Sequence, residues 1–570
     1  MVRSVLFLIL VCINTCSYAL GSLGANQTFT HEDCIKFYEQ LALKHPEAKL
    51  TIGGTSDIGR PIHTFVISNT QCFDPSGIKS NQLVWLINNG IHPGESCGID
   101  ATALWAEKLL NNKKLLEKLN DVIIVIVPIY NVDGALNRNN TSRVNQNGPE
   151  AYGFRANARN LDLNRDFVKS DSKNAFTFAH IFHQWKPHVF IDTHISNGAD
   201  YQYTMTLIAT HHAPLNSSLH ESWKVLNTEI FKAMEKNNFE MVPYVDLVGQ
   251  TPEEGILGFV DEPRYSTGYA ALFNCIGFMT ETHMLKPYAN QVKATEVFLQ
   301  QFLKIVVDNK SLLVTNRNKA DVEVSKQQRF ILNWELDTTR ADTIAFKGYT
   351  AIWKPSEISK LPRLYYDRSK PTNVKVPFYN YFLPTDSIEK PTAYIVPQAW
   401  HQVIDRLKAN NINLTYLTSD TIINVEAYFA IEYTTAQKAV EGHYPLSNLK
   451  LGMRKQPIKF FKGDAFVRCG TPSDKFLVNV LEPSAPDSYF KWNFFDAVLQ
   501  QKEYFSDYVF EELAIEILAK DPKLQLELNS FIEKNNLQRD HQSYLDFIYS
   551  HSIYAEPGYN RIPVFRVVND

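Results

Sequence analysis

The chain has 570 residues, 44% of them hydrophobic and 21% charged, with a formal net charge of −4. That length exceeds one ordinary domain and predicts roughly two to four. The near-balanced charge leaves no polycationic footprint, which excludes nucleic acid and anionic membrane as expected partners.

In chain order, the first element reads as a targeting segment. Arg3 precedes an apolar run over residues 5–13, and Ser17, Tyr18 and Ala19 supply small residues for cleavage, so residues 1–19 are expected to be a signal peptide. The run is too short to span a bilayer comfortably, and no second run of about 18 apolar residues follows. The mature protein is therefore expected to be exported, secreted or periplasmic, without stable membrane insertion. Export leaves Cys34, Cys72, Cys97, Cys275 and Cys469, a set too scattered for a dense disulfide framework. One long-range bridge, such as Cys34 to Cys72, fits an oxidising compartment, but spacing does not assign it. Glycosylation acceptors of the Asn-x-Ser/Thr type occur at Asn26, Asn139, Asn140, Asn216, Asn309 and Asn413.

Thr30 is placed to cap a helix running to about residue 45. Residues 83–87, 122–127, 189–191 and 278–280 read as buried strands with helical stretches between them. Continuous apolar strands separated by helices predict an α/β fold for residues 25–313: a mixed, largely parallel sheet with helices on both faces. In such sheets functional groups gather beyond the carboxyl ends of the strands. The polar residues 315–328 then read as a boundary. Beyond it an α+β accessory region is expected: residues 329–485 β-rich or mixed, with short strands over 330–382, a strand at 394–396 and a helix whose Trp400, Val403, Ile404 and Leu407 share one face. Residues 486–570 read as helical, since Phe510, Leu513, Ala514, Ile517 and Leu518 repeat at helical spacing. No constellation in this half converts into chemistry, and its aromatics read as core.

The chemistry concentrates earlier. His92 and Glu95 follow the run at 83–87, and His194 follows the run at 189–191, so all three are expected to project from loops at strand ends. Two imidazoles and one carboxylate suit a tetrahedral Zn2+ with an open fourth position, whereas a structural zinc is more often closed by cysteines. Around this triplet stand Asn131-Val132-Asp133-Gly134, then a segment running from Arg155 through Asp162-Leu163-Asn164-Arg165, and later Glu281 behind an apolar strand.

In this order and spacing, over roughly residues 30–310, the sequence resembles the carboxypeptidase A-type zinc metallocarboxypeptidases. The resemblance implies the following roles. His92, Glu95 and His194 would bind zinc, and Asp162 would orient His92 and fix its tautomer. Asn164 and Arg165 would hold the free C-terminal carboxylate of a peptide or protein substrate, the planar guanidinium pairing it bidentately. Arg155 would stabilise the oxyanion, and Glu281 would act as general base toward a zinc-activated water. The family also closes a tyrosine over the substrate; Tyr265 and Tyr269 precede Glu281 at usable distances. Arg138 and Arg143 read as solvated loop charges, with substrate contact the alternative for either, and His211, His212 and His283 as residues behind the ligands or on the surface. His92 follows the signal segment too closely for the long inhibitory pro-segment of digestive relatives. Two other functions compete with peptide-end hydrolysis: a zinc amidase acting on cell-wall peptides or N-acyl amino acids, and a non-catalytic peptide-binding protein on the same fold.

Overall fold

Alternation of side chains along hydrophobic strands sets the architecture. The computed structural model describes residues 26–568, so the signal-peptide expectation lies outside the described residues. Thr30 caps α1 (His31–Lys44), its side chain accepting from the Asp33 amide as predicted. Strands β1 (Ala48–Thr55), β2 (Pro61–Ile67), β3 (Leu83–Asn89), β4 (Val122–Val127), β5 (Val189–Ser196), β6 (Met205–Ala209), β7 (Met241–Pro243) and β10 (Ile276–His283) form one sheet in the order β1-β2-β4-β3-β5-β10-β6-β7. The central strands β4, β3, β5 and β10 are mutually parallel, whereas β2 and β6 flank that block and run antiparallel to its edge strands β4 and β10.

Successive residues of these strands feed opposite faces. Trp85, Ile124 and Ile191 pack with α1, α2 (Cys97–Leu110) and α6 (Tyr288–Asp308). Leu86, Val125 and Phe190 pack on the other side with α3 (Lys173–Trp185) and α5 (Ser266–Leu272). Helix α4 (Ser217–Lys236) adds Leu226 and Ile230 to the first core. Both faces are covered, as near-continuous apolar strands require.

The rest of the chain departs from expectation in four respects. The polar boundary expected at 315–328 is largely helical: α7 (Lys310–Lys326) runs through it and buries Leu313, Val314, Ala320 and Val324. The strands after it are long rather than short: β11 (Arg329–Leu336) and β14 (Phe382–Glu389) pair with each other, while β12 (Asp342–Pro355) and β13 (Pro362–Tyr379) extend a sheet begun by β8 (Asp246–Leu247) and β9 (Ile256–Leu257). That sheet crosses the expected domain boundary. The tail is helical over α10 (Asp507–Lys520), α11 (Pro522–Lys534) and α12 (His541–Ser550), but it ends in a strand, β20 (Arg561–Val567). This last strand lies between β15 (Ala393–Val396) and β17 (Thr421–Thr435) in a six-stranded sheet with β16 (Thr415–Tyr416), β18 (Leu446–Phe460) and β19 (Ala465–Arg468), so residues 329–485 and 486–570 share one sheet. Finally, no bridge joins Cys34 to Cys72; Cys34 is on the buried face of α1, and all five described cysteines are free thiols.

The C-terminal module packs through one core with the first sheet. Leu407 of α8 (His401–Ala409) and Phe476 of α9 (Asp474–Leu481) belong to the same buried cluster as Leu86 and Phe190. This contact carries the module to the rim of the cleft at the carboxyl ends of β3, β5 and β10.

Candidate metal centre and cleft

Three chain segments converge at that end of the sheet. After β3 the backbone turns at Gly90, whose φ of +67° favours glycine, and His92-Pro93-Gly94-Glu95 leads directly into α2. Gly98, in the first turn of α2, must lack a side chain: a Cβ there would lie 1.9 Å from Thr193 Oγ1 on β5. This close approach sets Glu95 against His194. His194 itself stands within β5, not on a loop beyond it, because the strand runs on to Ser196. In-register pairing of β5 with β10 then places Glu281 beside His194, also inside its strand.

The resulting constellation fits a Zn2+ ion. Nδ1 of His92 lies 3.3 Å from Glu95 Oε1, Nδ1 of His194 lies 3.1 Å from Glu95 Oε2, and one ligand atom from each residue falls within 4.8 Å of the others. Ligands on a tetrahedral Zn2+ at about 2.0–2.1 Å sit about 3.3 Å apart, so little rearrangement is needed. Each imidazole is held from behind: His92 Nε2 is 2.8 Å from Asp162 Oδ1, and His194 Nε2 is 3.0 Å from Asp192 Oδ2. A carboxylate on the outer nitrogen leaves Nδ1 as the lone-pair donor toward the ion. This is the one such cluster among the described residues; His211 instead faces the Asn380 carbonyl, and His283 packs on Tyr201.

The carboxylates differ in electrostatics. Burial opposes ionisation of Glu95, but Arg143 and His92 overcome it and hold the group well below the usual carboxylate range. Burial likewise opposes ionisation of Asp162, and His92, Arg155 and Arg165 outweigh it. Glu281 goes the other way: burial pushes its carboxyl up to about 8, Glu95 and Asp192 add to the shift, and His194 and Arg155 oppose it. Its carboxylate makes no hydrogen bond with the described residues, and it faces a cleft of about 1130 Å³ that also holds His92, His194, Asn164 and Arg165.

The Asp-Leu-Asn-Arg turn brings the expected substrate clamp to this cleft. Asn164 Oδ1 accepts from the Ser266 amide at 3.1 Å, which fixes the orientation of its amide. Arg165 donates to the Asn164 carbonyl, stacks 4.4 Å over the Tyr265 ring, and pairs with no carboxylate among the described residues. Arg155 borders the metal pocket: its guanidinium grips Asp162 Oδ2 at 2.8 and 3.0 Å and comes within 3.3 Å of Glu95. The Asn-x-Asp-Gly motif is scaffolding, since Asn131 Nδ2 bridges the carbonyls of Ile91 and Arg155.

Two expectations fail here. Tyr269 does not reach substrate; it is buried on α5 with its hydroxyl on Asn410 Oδ1 (2.6 Å) and His183 (3.0 Å). Tyr265 does line the cleft, because it precedes the helix in extended conformation and so escapes the helical face that Tyr269 shares with the core. Arg143 is not a solvated charge: it donates to Glu95 Oε1 at 2.9 Å and to the Ile195 carbonyl. Arg138 is not a solvated charge either: it is tied to the carbonyls of Phe29 and Ala151 and does not line the cleft. Sequence reasoning also missed Asp192, although its position two residues before His194 puts it on the same strand face. It missed Tyr244, whose phenol lines the cleft and has its ionisation suppressed by burial and by Glu281. Asp192→Asn is expected to weaken Zn2+ binding by about 10–100-fold, measured by competition with a chelator.

A two-histidine, one-carboxylate centre at the C-terminal edge of a mixed α/β sheet, beside a carboxylate and an arginine without ion-pair partners, fits a metal-dependent hydrolase. The comparisons specify it. Residues 34–213 match the zinc carboxypeptidase family model, a stretch that holds the three ligands, Arg155, Asn164 and Arg165, while Glu281 enters through β10. Carboxypeptidase 2 of Trichophyton rubrum is 22% identical over 469 residues, covering 77% of this chain and 78% of that relative. Among solved structures, a metallo-carboxypeptidase from Burkholderia cenocepacia is 17% identical over 50% of this chain and 70% of that one, with a TM-score of 0.38. Carboxypeptidase A from Helicoverpa armigera is 14% identical, covers 50% and 74%, and gives a TM-score of 0.38. Residues 34–213 thus match a zinc carboxypeptidase domain, and the comparisons with the ligand triplet support a metallocarboxypeptidase with Zn2+ as its cofactor.

Proposed function

We propose that the protein removes single residues from the free carboxyl ends of peptides or proteins, with Glu281 as general base. The observation that carries this reading is the juxtaposition, in one cleft, of the ligand triplet with an arginine that has no internal carboxylate partner. Bound at His92, Glu95 and His194, Zn2+ supplies the Lewis acidity that makes water nucleophilic near neutral pH. The substrate carboxylate binds Arg165 and the Asn164 amide, which sets the last peptide bond beside Glu281. Glu281 takes the proton of the attacking water on its carboxylate and delivers it to the leaving amine. Arg155 donates from its guanidinium to the oxygen on which charge develops, its orientation held by Asp162. Among the described residues no helix is long and apolar enough to cross a membrane. The composition of residues 1–19 supports export, so the reading places the enzyme outside the cytoplasm.

The clamp supplies the test. Zn2+-loaded protein is expected to cleave a peptide with a free C-terminus at least about 100-fold faster than the same peptide amidated, because an uncompensated Arg165 loses a charged hydrogen-bond pair. Equal rates on the two peptides, or release of internal fragments, would rule out end-directed cleavage.

A further inference from the structure

The cleft does not end at Glu281. Met279 precedes Glu281 by two residues on β10 and so shares its face, and Ile208 of β6 stands opposite Met279. Both line the cavity, as do Ala271 and Leu272 at the far end of α5 and Leu215 in the loop before α4. Helix α5 therefore joins the two ends of the site. At its start the Ser266 amide holds Asn164, and about 9 Å along its axis Leu272 reaches the apolar pocket. A substrate residue with its carboxylate on Arg165 would share one cavity with these apolar side chains.

The C-terminal module lines the same cavity, and one of its lining groups is charged. Lys475 of α9 lines the cavity and is only 8% exposed. Its Nζ donates to the Pro214 carbonyl (3.2 Å) and to Asn216 Oδ1 (2.8 Å), which leaves the third ammonium proton unassigned. Four lysine and arginine residues are buried among the described residues: Lys169, Arg406, Lys475 and Arg566. The other three pair with carboxylates, Lys169 with Asp166, Arg406 with Asp171 and Arg566 with Glu426. Lys475 has only neutral partners. The acids whose field reaches it are engaged elsewhere, Glu323 with the Ser217 and Ser218 hydroxyls and Asp321 with Asn274. Burial lowers its pKa to about 8, the signature of an ammonium short of compensating charge. The acids nearer the clamp are likewise occupied: Asp261 accepts from the Thr267 hydroxyl and Glu262 pairs with Arg264 at 2.9 Å.

We propose that Lys475 reads the side chain of the residue being released and that the enzyme selects peptides ending in an acidic residue. This rests on the carboxypeptidase reading above and names its substrate class. The specificity group then comes from the C-terminal module, which gives that module a function in the cleft.

The test uses the full-length Zn2+-loaded protein and acylated dipeptides that differ only in a C-terminal Glu, Gln, Leu or Arg. Glu is expected to exceed its neutral isostere Gln by at least about tenfold in kcat/KM, the range of a charge-assisted hydrogen bond. In Lys475→Met the Glu-to-Gln ratio should collapse toward one, and in Lys475→Glu the preference should pass to Arg. Equal rates for Glu and Gln in the unmodified protein, or a preference for Arg there, overturn the proposal whether or not the variants fold. Calorimetric binding of the same dipeptides to Zn2+-loaded Glu281→Gln protein separates the two readings. Tighter binding of the Glu dipeptide, with no hydrolysis of any peptide by unmodified protein, upholds Lys475 and removes the activity. Hydrolysis without an acidic preference does the reverse.

Discussion

Glu281→Gln is expected to leave the protein folded and Zn2+-loaded while lowering kcat by about 100- to 10,000-fold, the usual worth of a positioned acid–base group. The substitution is nearly isosteric, and the carboxylate it removes has no hydrogen-bond partner among the described residues, so nothing structural is orphaned. Glu281 is not one of the three groups whose donor atoms converge on the metal position, so ion content should not change. The amide cannot accept the proton that the reaction releases or return one to the leaving amine. KM should stay near its original value, because the clamp at Asn164 and Arg165 is untouched. Single-turnover kinetics with metal analysis checks both halves. Full turnover by the loaded variant removes Glu281 from the mechanism, and loss of Zn2+ together with turnover would show that it belongs to the ligand set.

The catalytic half was largely legible because its signals are local. Each strand that carries a ligand is a short run of buried apolar residues, and each ligand lies within a few residues of such a run. Only the strand ends were misplaced: His194 and Glu281 continue β5 and β10, since polar residues facing a cleft can still pair in a ladder. What failed was what depends on three dimensions. Helix α7 escaped notice because its inward positions include Asn316 and the small Ala320, which blunt the apolar periodicity. The helical reading of residues 486–570 could not foresee that β20 pairs with β15 across roughly 170 residues of sequence. Arg143 reaches Glu95 from a loop whose length fixes nothing in advance. The two tyrosines four residues apart fall on different sides because only the second is inside the helix. Lys475 carried no motif at all; its meaning comes from what surrounds it.

The second large effect concerns the joint between the clamp and the module. Lys169 is fully buried and lies 2.8 Å from both Asp166 and Asp171, immediately after the Asn164–Arg165 turn. Asp171 also pairs with Arg406 of α8 (3.0 Å) and with His443 of the β17–β18 connection (2.7 Å), so one network ties the catalytic loop to the C-terminal module. Lys169→Met keeps the length of the side chain but leaves two carboxylates without their shared cation. Removing one partner of a buried pair costs about 3–5 kcal/mol, far more than the net worth of the intact pair. The pH dependence has a definite sign. Burial opposes ionisation of Asp171, but His443 and Lys169 outweigh it and hold its carboxyl below the usual range. Its contribution is therefore present above about pH 4, the ordinary aspartate value, and is lost as pH falls through the depressed folded value. The deficit of Lys169→Met should accordingly be largest near neutral pH and shrink below about pH 4, where Asp171, no longer held by Lys169, takes up a proton. Urea midpoints measured from pH 3 to pH 8 would show this, alongside a KM that rises more than kcat falls as the clamp loses its anchor. A variant within about 1 kcal/mol of the parent at pH 7 would mean that apolar packing alone holds the joint, and that the clamp does not depend on the module beneath it.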